Sequence, residues 1–323
     1  MPSDKTQFMN APYGSDVYDA MFTDLQGFFH EQFRLTDASA VYKRLTSTLK
    51  VEGKEVLLPA MQLLGGMKEW NDMRQIESLW ARSIRVKIYD YEHTLGFHKN
   101  DLADDKLGLS RFAVGEQGVL AGNEYDEQLA ALFNSSISGA ATTRFPAIFD
   151  GQDFFSSSHA WDVGYTSSQS NLLSGSGAGV LSATNYKIAR KRMRQFKRPD
   201  GKIINRKPDS LIVATDLYHD AVELFQSAKW VSGESTRHGE KNPIAGDGIE
   251  VIEFPQLTDG YWVLADLSGP IKPWWLLDRQ GVTTDTLLEG YEKFMKGNLF
   301  AGVDMRFNVN GQAWWRAIAG DGT

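Results

Sequence analysis

The chain of 323 residues contains no cysteine. That absence excludes disulfide bonds, thiolate nucleophiles and cysteine-ligated zinc, and it suits the reducing interior of a cell. The sequence also lacks an apolar run of about 18 residues, the length that a membrane-spanning helix requires. Its first residues, MPSDKTQFMN, do not show the basic and then apolar layout of a secretory signal. We therefore expect a soluble protein, made in a cytoplasm, with no membrane partner.

Motifs that carry catalysis are also missing from the sequence. There is no phosphate-binding loop, no GxSxG elbow, no HExxH pair and no calcium-binding loop. Gly175, Gly177 and Gly179 form a GxGxG pattern, but they follow a loop and not a strand. A flexible hinge is therefore favoured over a dinucleotide-binding turn at this position.

Asp150, Asp153 and His159 are the side chains that come nearest to a metal site. Two carboxylates and an imidazole can bind a hard or borderline metal ion. They lie, however, in a serine-rich segment without a fixed ligand spacing, and Asp150-Gly151 is typical of a turn. We favour a turn with capping side chains, and we predict no metal, no cofactor and no enzymatic activity.

The nine tryptophans include two adjacent pairs, Trp274-Trp275 and Trp314-Trp315. Exposed aromatic pairs can stack on sugars, so a carbohydrate-binding or carbohydrate-active protein is one hypothesis. Asp278 and Asp304 are the nearby carboxylates that such chemistry would need. Because adjacent residues of a strand point to opposite faces, at most one tryptophan of each pair is exposed on a face. Packing in a core or an interface is the favoured interpretation.

Basic residues are concentrated in one part of an otherwise acidic chain. The net charge is −7, yet residues 187–207 include ten basic residues and a single acid. The remainder has 24 basic and 40 acidic residues, a net charge of −16. Such a patch can bind DNA phosphates or an acidic neighbouring subunit, or it is a solvated helix face. The patch residues are Lys187, Arg190, Lys191, Arg192, Arg194, Lys197 and Arg198.

An amphipathic helix is predicted near the start of the chain, over residues 15–33. Its apolar side chains recur at helical spacing and must pack against another surface. In an arm this early in the chain, a neighbouring subunit is a natural partner. The intersubunit residues that we assign to this arm are Phe22, Leu25, Phe28 and Phe29.

Helices and strands alternate along the rest of the chain, which indicates an α+β protein. Alternating apolar residues predict a strand over 82–95, and a long helix follows over about 112–138. Glycines at 115, 118 and 122 weaken the first turns of this helix and favour a later start. Residues 139–179 are rich in serine and glycine and indicate a linker.

The order of the predicted elements is accompanied by short motifs. Ahead of the long helix stand Met67-Lys68-Glu69-Trp70, Glu92-His93-Thr94 and Asp104-Asp105-Lys106-Leu107-Gly108. Behind it come Asp150-Gly151 with Phe155 and His159, and near the end Phe300 to Arg306 with Trp314. Together these resemble Mu-like phage major head subunits, which are shell proteins with a Hong Kong 97-like fold. The resemblance covers about residues 64–315, and the order of the motifs carries it.

The resemblance implies a Hong Kong 97-like capsid fold divided into five parts. These are an N-terminal arm (1–50), an extended loop (51–90), a peripheral domain with a spine helix (91–160), an axial domain (161–270) and returning strands (271–323). Asp104-Asp105 would then lie at the positive end of the spine-helix dipole, where acids are favoured.

The resemblance also implies a function. Copies of the chain would assemble into pentamers and hexamers of an icosahedral head that encloses double-stranded DNA. Partners would be a scaffolding protein, a portal and, as further candidates, decoration proteins. Assembly would take place in the host bacterial cytoplasm, and the protein would end in the virion. An encapsulin-like compartment for cargo enzymes is the alternative within the same fold.

Overall fold

The computed structural model describes residues 15–59, 83–104, 108–140, 142–161, 168–229 and 241–323. The motif Met67-Lys68-Glu69-Trp70, most of the predicted extended loop, and Asp105 lie outside these residues. The chain divides into two compact units. Unit 1 consists of Met1–Ala40, Tyr89–Tyr125 and Gln280–Phe307, and unit 2 of Val41–Ile88, Asp126–Arg279 and Asn308–Thr323.

Seven α-helices and eleven strands occur in the described residues. The helices are α1 (Ser15–Ser39), α2 (Tyr42–Leu45), α3 (Lys99–Ala103), α4 (Leu109–Ser138), α5 (Ala183–Gln195), α6 (Tyr218–Gln226) and α7 (Tyr291–Lys296). The strands are β1 (Thr46–Lys50), β2 (Glu55–Pro59), β3 (Ser83–Lys87), β4 (Tyr89–His98), β5 (Leu172–Leu173), β6 (Ser210–Val213), β7 (Glu250–Glu253), β8 (Trp262–Ala265), β9 (Trp274–Leu287), β10 (Asn298–Gly311) and β11 (Ala317–Gly320).

The strands form three sheets. A four-stranded sheet has the order β1-β9-β10-β4, and a two-stranded antiparallel sheet joins β2 to β3. Within unit 1, β10 pairs antiparallel with β4 over ten residues, from Asn298 opposite His98 to Phe307 opposite Tyr89. Within unit 2, β1 pairs parallel with β9, and Thr46 lies opposite Trp274.

In unit 1, α1 packs closely on the first half of α4. Gly115, Gly118 and Gly122 of α4 face α1, because a side chain at any of them would collide with it. A Cβ atom at Gly118 would lie 2.7 Å from the Phe29 carbonyl oxygen, and one at Gly122 would lie 2.8 Å from the Thr36 Cβ atom. The prediction that these glycines delay the helix start is therefore wrong. The helix begins earlier, at Leu109, and its glycines serve the close approach of a second helix.

Unit 2 is built on a five-stranded sheet with the order β5-β11-β8-β6-β7. Strands β6 and β7 run parallel and are joined by α6, whereas β8 is antiparallel to both β6 and β11. All residues of β6 and β8 are buried. Largely apolar runs over 210–214 and 261–265 predict these two strands, and the helical spacing of apolar residues over 186–196 predicts α5. The structure confirms all three elements within a few residues at each end.

The described parts of the segment 139–179 (residues 139–140, 142–161 and 168–179) do not form the loose linker that the serine and glycine content predicts. Its side chains Phe154, Phe155 and Trp161 are buried. Gly179 is also held, because its N–H donates to the Thr323 carbonyl oxygen at 2.8 Å. Aromatic residues at wide spacing anchor this irregular chain in the core, a pattern that composition alone does not reveal. The flexible-hinge interpretation of the glycines is likewise wrong for Gly179.

Two acids lie in α4 or shortly before it. The apolar stripe of α4 predicts Asp126 on the exposed face of the helix. This prediction is wrong, because Asp126 is buried and accepts hydrogen bonds from the N–H groups of Val41 and Tyr42 at 2.9 and 2.7 Å. Asp104 follows the last residue of α3 and caps its C-terminal end. It therefore lies at the negative end of α3, and its predicted dipole role toward α4 stays a prediction.

Candidate assembly surfaces

The residues of the predicted intersubunit arm are largely covered by their own chain. Phe22, Leu25 and Phe29 of α1 are buried, and Phe28 is half-buried. Phe22 meets Phe97 edge-on with ring centroids 6.1 Å apart. Because this apolar face is used within unit 1, a contact with a neighbouring subunit through these side chains stays a prediction.

The basic patch separates into cations with internal bonds and cations directed to the surface. Arg192 donates to the Leu172 carbonyl oxygen at 3.0 Å and to Ser170 Oγ at 3.2 Å, and burial lowers the pKa of its guanidinium. Lys191 and Lys197 are exposed, whereas Arg198 is half-buried. Arg192 therefore ties α5 to the segment before it, and reversal of its charge would disturb the fold as well as the surface.

A groove of about 840 Å³ runs along the exposed side of α5. One wall carries Lys187, Arg190, Lys191 and Arg194, and the other carries Pro243, Ile244 and Asp247, with Ile203 and Asn205 also in the lining. The cations recur at positions i, i+3, i+4 and i+7, which is one face of a helix. The sequence predicted the charge of this surface but not the second wall, which comes from a segment about 50 residues further along the chain.

Asp247 binds the groove wall to α5. Its carboxylate accepts from the Tyr186 hydroxyl at 2.7 Å and from Arg190 Nη2 at 3.1 Å. Burial, and then the hydrogen bond and charge of Asp247, raise the pKa of the Tyr186 hydroxyl well above its ordinary value. Arg194 donates through two nitrogens to the amide oxygen of Asn205, at 3.2 and 2.9 Å.

The candidate metal ligands belong to a buried hydrogen-bond network. His159 Nδ1 lies 2.7 Å from Asp150 Oδ2, and both side chains are almost fully buried. The His159 ring stacks on Trp314, with centroids 4.5 Å apart and an angle of 7° between the planes. Asp150 Oδ1 accepts from the Gln152 N–H at 3.1 Å, which is the turn geometry that the sequence predicted.

Asn171 completes this network and orients the imidazole. Its amide nitrogen donates to the Phe154 carbonyl oxygen at 2.8 Å, so its Oδ1 faces the Ser156 N–H and His159 Nε2, at 2.8 and 3.0 Å. Nε2 is accordingly the donor of its contact with Asn171. Burial raises the pKa of the third candidate, Asp153, and the nearby His159 partly offsets that effect. Within the described residues, no group of three or more His, Asp or Glu side chains is arranged to hold a metal ion.

Three of the four paired tryptophans are buried in the structure, and Trp275 is half-buried. Trp314 and Trp315 are both buried and lie in a short 3-10 helix, so the strand argument is wrong for this pair. Trp274 is also fully buried and contacts Phe133 at 4.6 Å between centroids. Asp278 is paired with Lys50, and Asp304 accepts from Gln280 Nε2 at 2.6 Å. These residues form no sugar-stacking platform with convergent acids.

The fold and the family are identified by comparison with known proteins. The model of the family described as Mu-like prophage major head subunit gpT matches residues 18–180 and 175–257. The major capsid protein of Escherichia phage Mu is 24% identical over 125 residues. The matched part is 39% of this chain and 39% of that relative, so the alignment spans about two fifths of the relative's length.

Solved phage capsids share the fold at low sequence identity. The procapsid subunit of bacteriophage JBD30 has a TM-score of 0.51 and 18% identity, over 93% of this chain and 74% of that one. The JBD30 capsid decorated with minor capsid protein trimers has a TM-score of 0.53 and 17% identity, over 68% and 91%. The capsid of cyanophage P-SCSP1u has a TM-score of 0.52 and 12% identity, over 87% of both chains.

Within the described part of the chain, no helix is both long and apolar enough to cross a membrane. The matches to solved capsids establish the predicted Hong Kong 97-like fold. The family model spans more than half of the sequence. The chain therefore belongs to the Mu-like prophage major head subunit gpT family.

Proposed function

We propose that copies of this chain form the shell of a phage head, as pentamers and hexamers in an icosahedral container for double-stranded DNA. The observation that carries the proposal is a family match over 18–257 together with a capsid fold over most of the chain. The subunits of such a shell are held together by many contacts that are individually weak, and closed symmetry makes these contacts cooperative.

The proposed role is structural and not enzymatic. The groups that could have supported catalysis are engaged in bonds within the fold: His159 and Asp150 with each other, and Asp278 with Lys50. The carbohydrate-active alternative is disfavoured because Trp274, Trp314 and Trp315 are buried. The encapsulin-like alternative is disfavoured because the matching family is one of phage head subunits.

A scaffolding protein, a portal and packaged DNA are proposed as partners, with decoration proteins as a further candidate. Assembly is proposed to take place in the host cytoplasm, with the protein ending in the virion. The basic patch is proposed to contact either DNA or a neighbouring subunit, and we favour the neighbouring subunit. The apolar lining of the groove beside α5 supports this choice, because a protein segment can fill such a surface and a phosphate backbone cannot.

Size exclusion of the purified chain, followed by electron microscopy of the void fraction, tests the proposal. We expect capsomer rings or hollow shells, because closed symmetry makes the assembled form the stable one. The chain should be examined alone and after expression with its neighbouring phage genes, which would supply a scaffold. A monodisperse 36 kDa species in both preparations would refute the proposal. Shells that contain an enzyme in place of DNA would favour the compartment alternative.

A further inference from the structure

A small polar cavity lies at the C-terminal end of α4, within unit 2. The end of this helix, the segment that follows it and the end of β10 all contribute to its lining. The polar side chains among the described lining residues are Ser135, Ser136, Thr142, Asp153 and Asn310. The space open to the centre of a water molecule is about 10 Å³. This space is enough for one water molecule and too small for an organic ligand.

Asn310 brings a hydrogen-bond donor to this cavity. Its side chain is buried, and its Oδ1 accepts from the Gly311 N–H at 2.9 Å. This bond fixes the orientation of the amide, so Nδ2 is the atom left to face the cavity. Nδ2 is buried and meets no acceptor within the part of the chain that the structure describes. Because a buried N–H group without a partner is costly, native structures rarely leave one without an acceptor.

Asn308 provides a comparison on the same face of β10, two residues before Asn310. Its Oδ1 likewise accepts from the next backbone N–H, that of Val309, at 2.8 Å. Its Nδ2 donates to the carbonyl oxygens of Lys87 and Arg144, at 2.7 and 3.1 Å. The two amides are therefore bonded alike through Oδ1 and differ at Nδ2. Backbone carbonyls satisfy the Asn308 donor, whereas Asn310 lines the cavity.

Asp153 supplies an acceptor in the same lining. Burial raises the pKa of its carboxyl, and the charge of His159 partly offsets that effect. No hydrogen bond from the described residues contributes to this shift. The N–H donor of Asn310 disfavours a cation in the cavity, and the carboxylate disfavours an anion. A water molecule can accept from the first group and donate to the second.

We propose that this cavity binds one structural water molecule, which accepts from Asn310 Nδ2 and donates to the Asp153 carboxylate. Ser135 Oγ can accept its second proton, because the hydroxyl already donates its own proton to the Leu132 carbonyl oxygen at 3.2 Å. Three bonds of this kind are typical of a buried water. The water then joins the end of α4, the segment that follows it and β10 inside each subunit. This inference does not depend on the proposed shell function.

A density map of the parent chain tests the site directly. The map is taken from crystals or from assembled particles, at a resolution that shows ordered water. We expect one peak at about 2.7–3.2 Å from Asn310 Nδ2 and within the same distance of an Asp153 carboxylate oxygen. Asn308 is the internal control, since its Nδ2 should contact the two backbone carbonyl oxygens and no water. This test requires no variant, so it stands even if a variant does not fold.

A double-mutant cycle tests the bridge between the two side chains. Asn310→Ala and Asp153→Ala should each lower the urea midpoint, and the double variant should lose less than the sum of the two losses, because either change removes the same bridge. Asn242→Ala is the matched control. The Asn242 side chain is buried and donates to the carbonyl oxygens of Leu224 and Ser227, at 2.8 and 3.1 Å, outside the cavity lining. Its loss should add fully to that of Asp153→Ala.

Three outcomes would overturn the water site. The first is a map in which Asn310 Nδ2 contacts a protein oxygen directly and the cavity shows no peak. The second is an ion in the cavity, recognised by short contacts to several oxygens with the amide nitrogen turned away. The third is full additivity of Asn310→Ala and Asp153→Ala, as in the control cycle. Each of these results concerns the interior of one subunit and leaves the proposed shell function intact.

Discussion

Buried polar side chains are the residues whose roles the structure defines most sharply. Asp150, His159 and Asn171 form a network in which each member holds the next at 2.7 to 3.0 Å. A charged or polar group removed from water is costly unless it is bonded. The motif of Asp150-Gly151 and His159 thus holds an irregular segment against Trp314, on which the His159 ring stacks. We infer no metal ligation from this motif.

Removal of one member of the buried pair should be strongly destabilising. Asp150→Ala leaves His159 buried beside an unfilled bonding position, so we expect a loss of about 3–5 kcal/mol in the free energy of unfolding. Asp90→Ala is the matched control, because Asp90 pairs with Arg306 at 3.0 Å on the surface and should cost less than about 1 kcal/mol. Urea unfolding of both variants makes the comparison, and equal losses would contradict the structural role.

Tyr186 should make stability fall at alkaline pH. Because burial and Asp247 raise the pKa of its hydroxyl, the folded chain keeps a proton that the unfolded chain loses above the ordinary pKa of 10.0. The folded state then binds more protons, so stability declines as pH rises through this range. Tyr186→Phe should show a shallower decline in urea midpoints between roughly pH 9 and 11. Parallel declines in parent and variant would refute the assignment.

The contact between α1 and α4 is not predicted by the helix propensities of the two sequences. Glycine has a low helix propensity, which favours a later start for α4. Tertiary packing outweighs propensity here, since Gly115, Gly118 and Gly122 let a second helix approach. The i, i+3, i+7 spacing of the three glycines is the signal in the sequence that indicates this face.

Adding a methyl group at this contact should separate the helices. Gly118→Ala would place its Cβ atom 2.7 Å from a backbone oxygen, so we expect a loss of about 1–3 kcal/mol in stability. Gly27→Ala in α1 is the matched control, because its Cβ atom would meet nothing within 4 Å and helix propensity favours alanine by up to about 1 kcal/mol. Thermal unfolding distinguishes the two, and stabilisation by both changes would contradict the packing role.

At the scale of the whole molecule, the two compact units are interleaved along the sequence. Unit 1 takes three separate stretches, and helix α4 and strands β9 and β10 each contribute residues to both units. The five consecutive parts expected from the resemblance are not tested by this division, and they stay a prediction. The uneven charge, with a basic window in a remainder of net charge −16, is also a property of the whole chain and underlies the proposed contact between copies.

The sequence by itself determined the class of the fold, most of the helices and strands, and the family. These follow from local information: periodicity for α1 and α5, uninterrupted apolar runs for β6 and β8, and the order of short motifs. Only the tertiary structure decided which surfaces are buried within the chain. The apolar face of α1 is buried, and aromatic side chains of the serine-rich segment 142–161 pack in the core. Asp247 forms a hydrogen bond with Arg190 of α5. These outcomes depend on contacts between residues far apart in sequence, and no local pattern specifies the partner of a buried group.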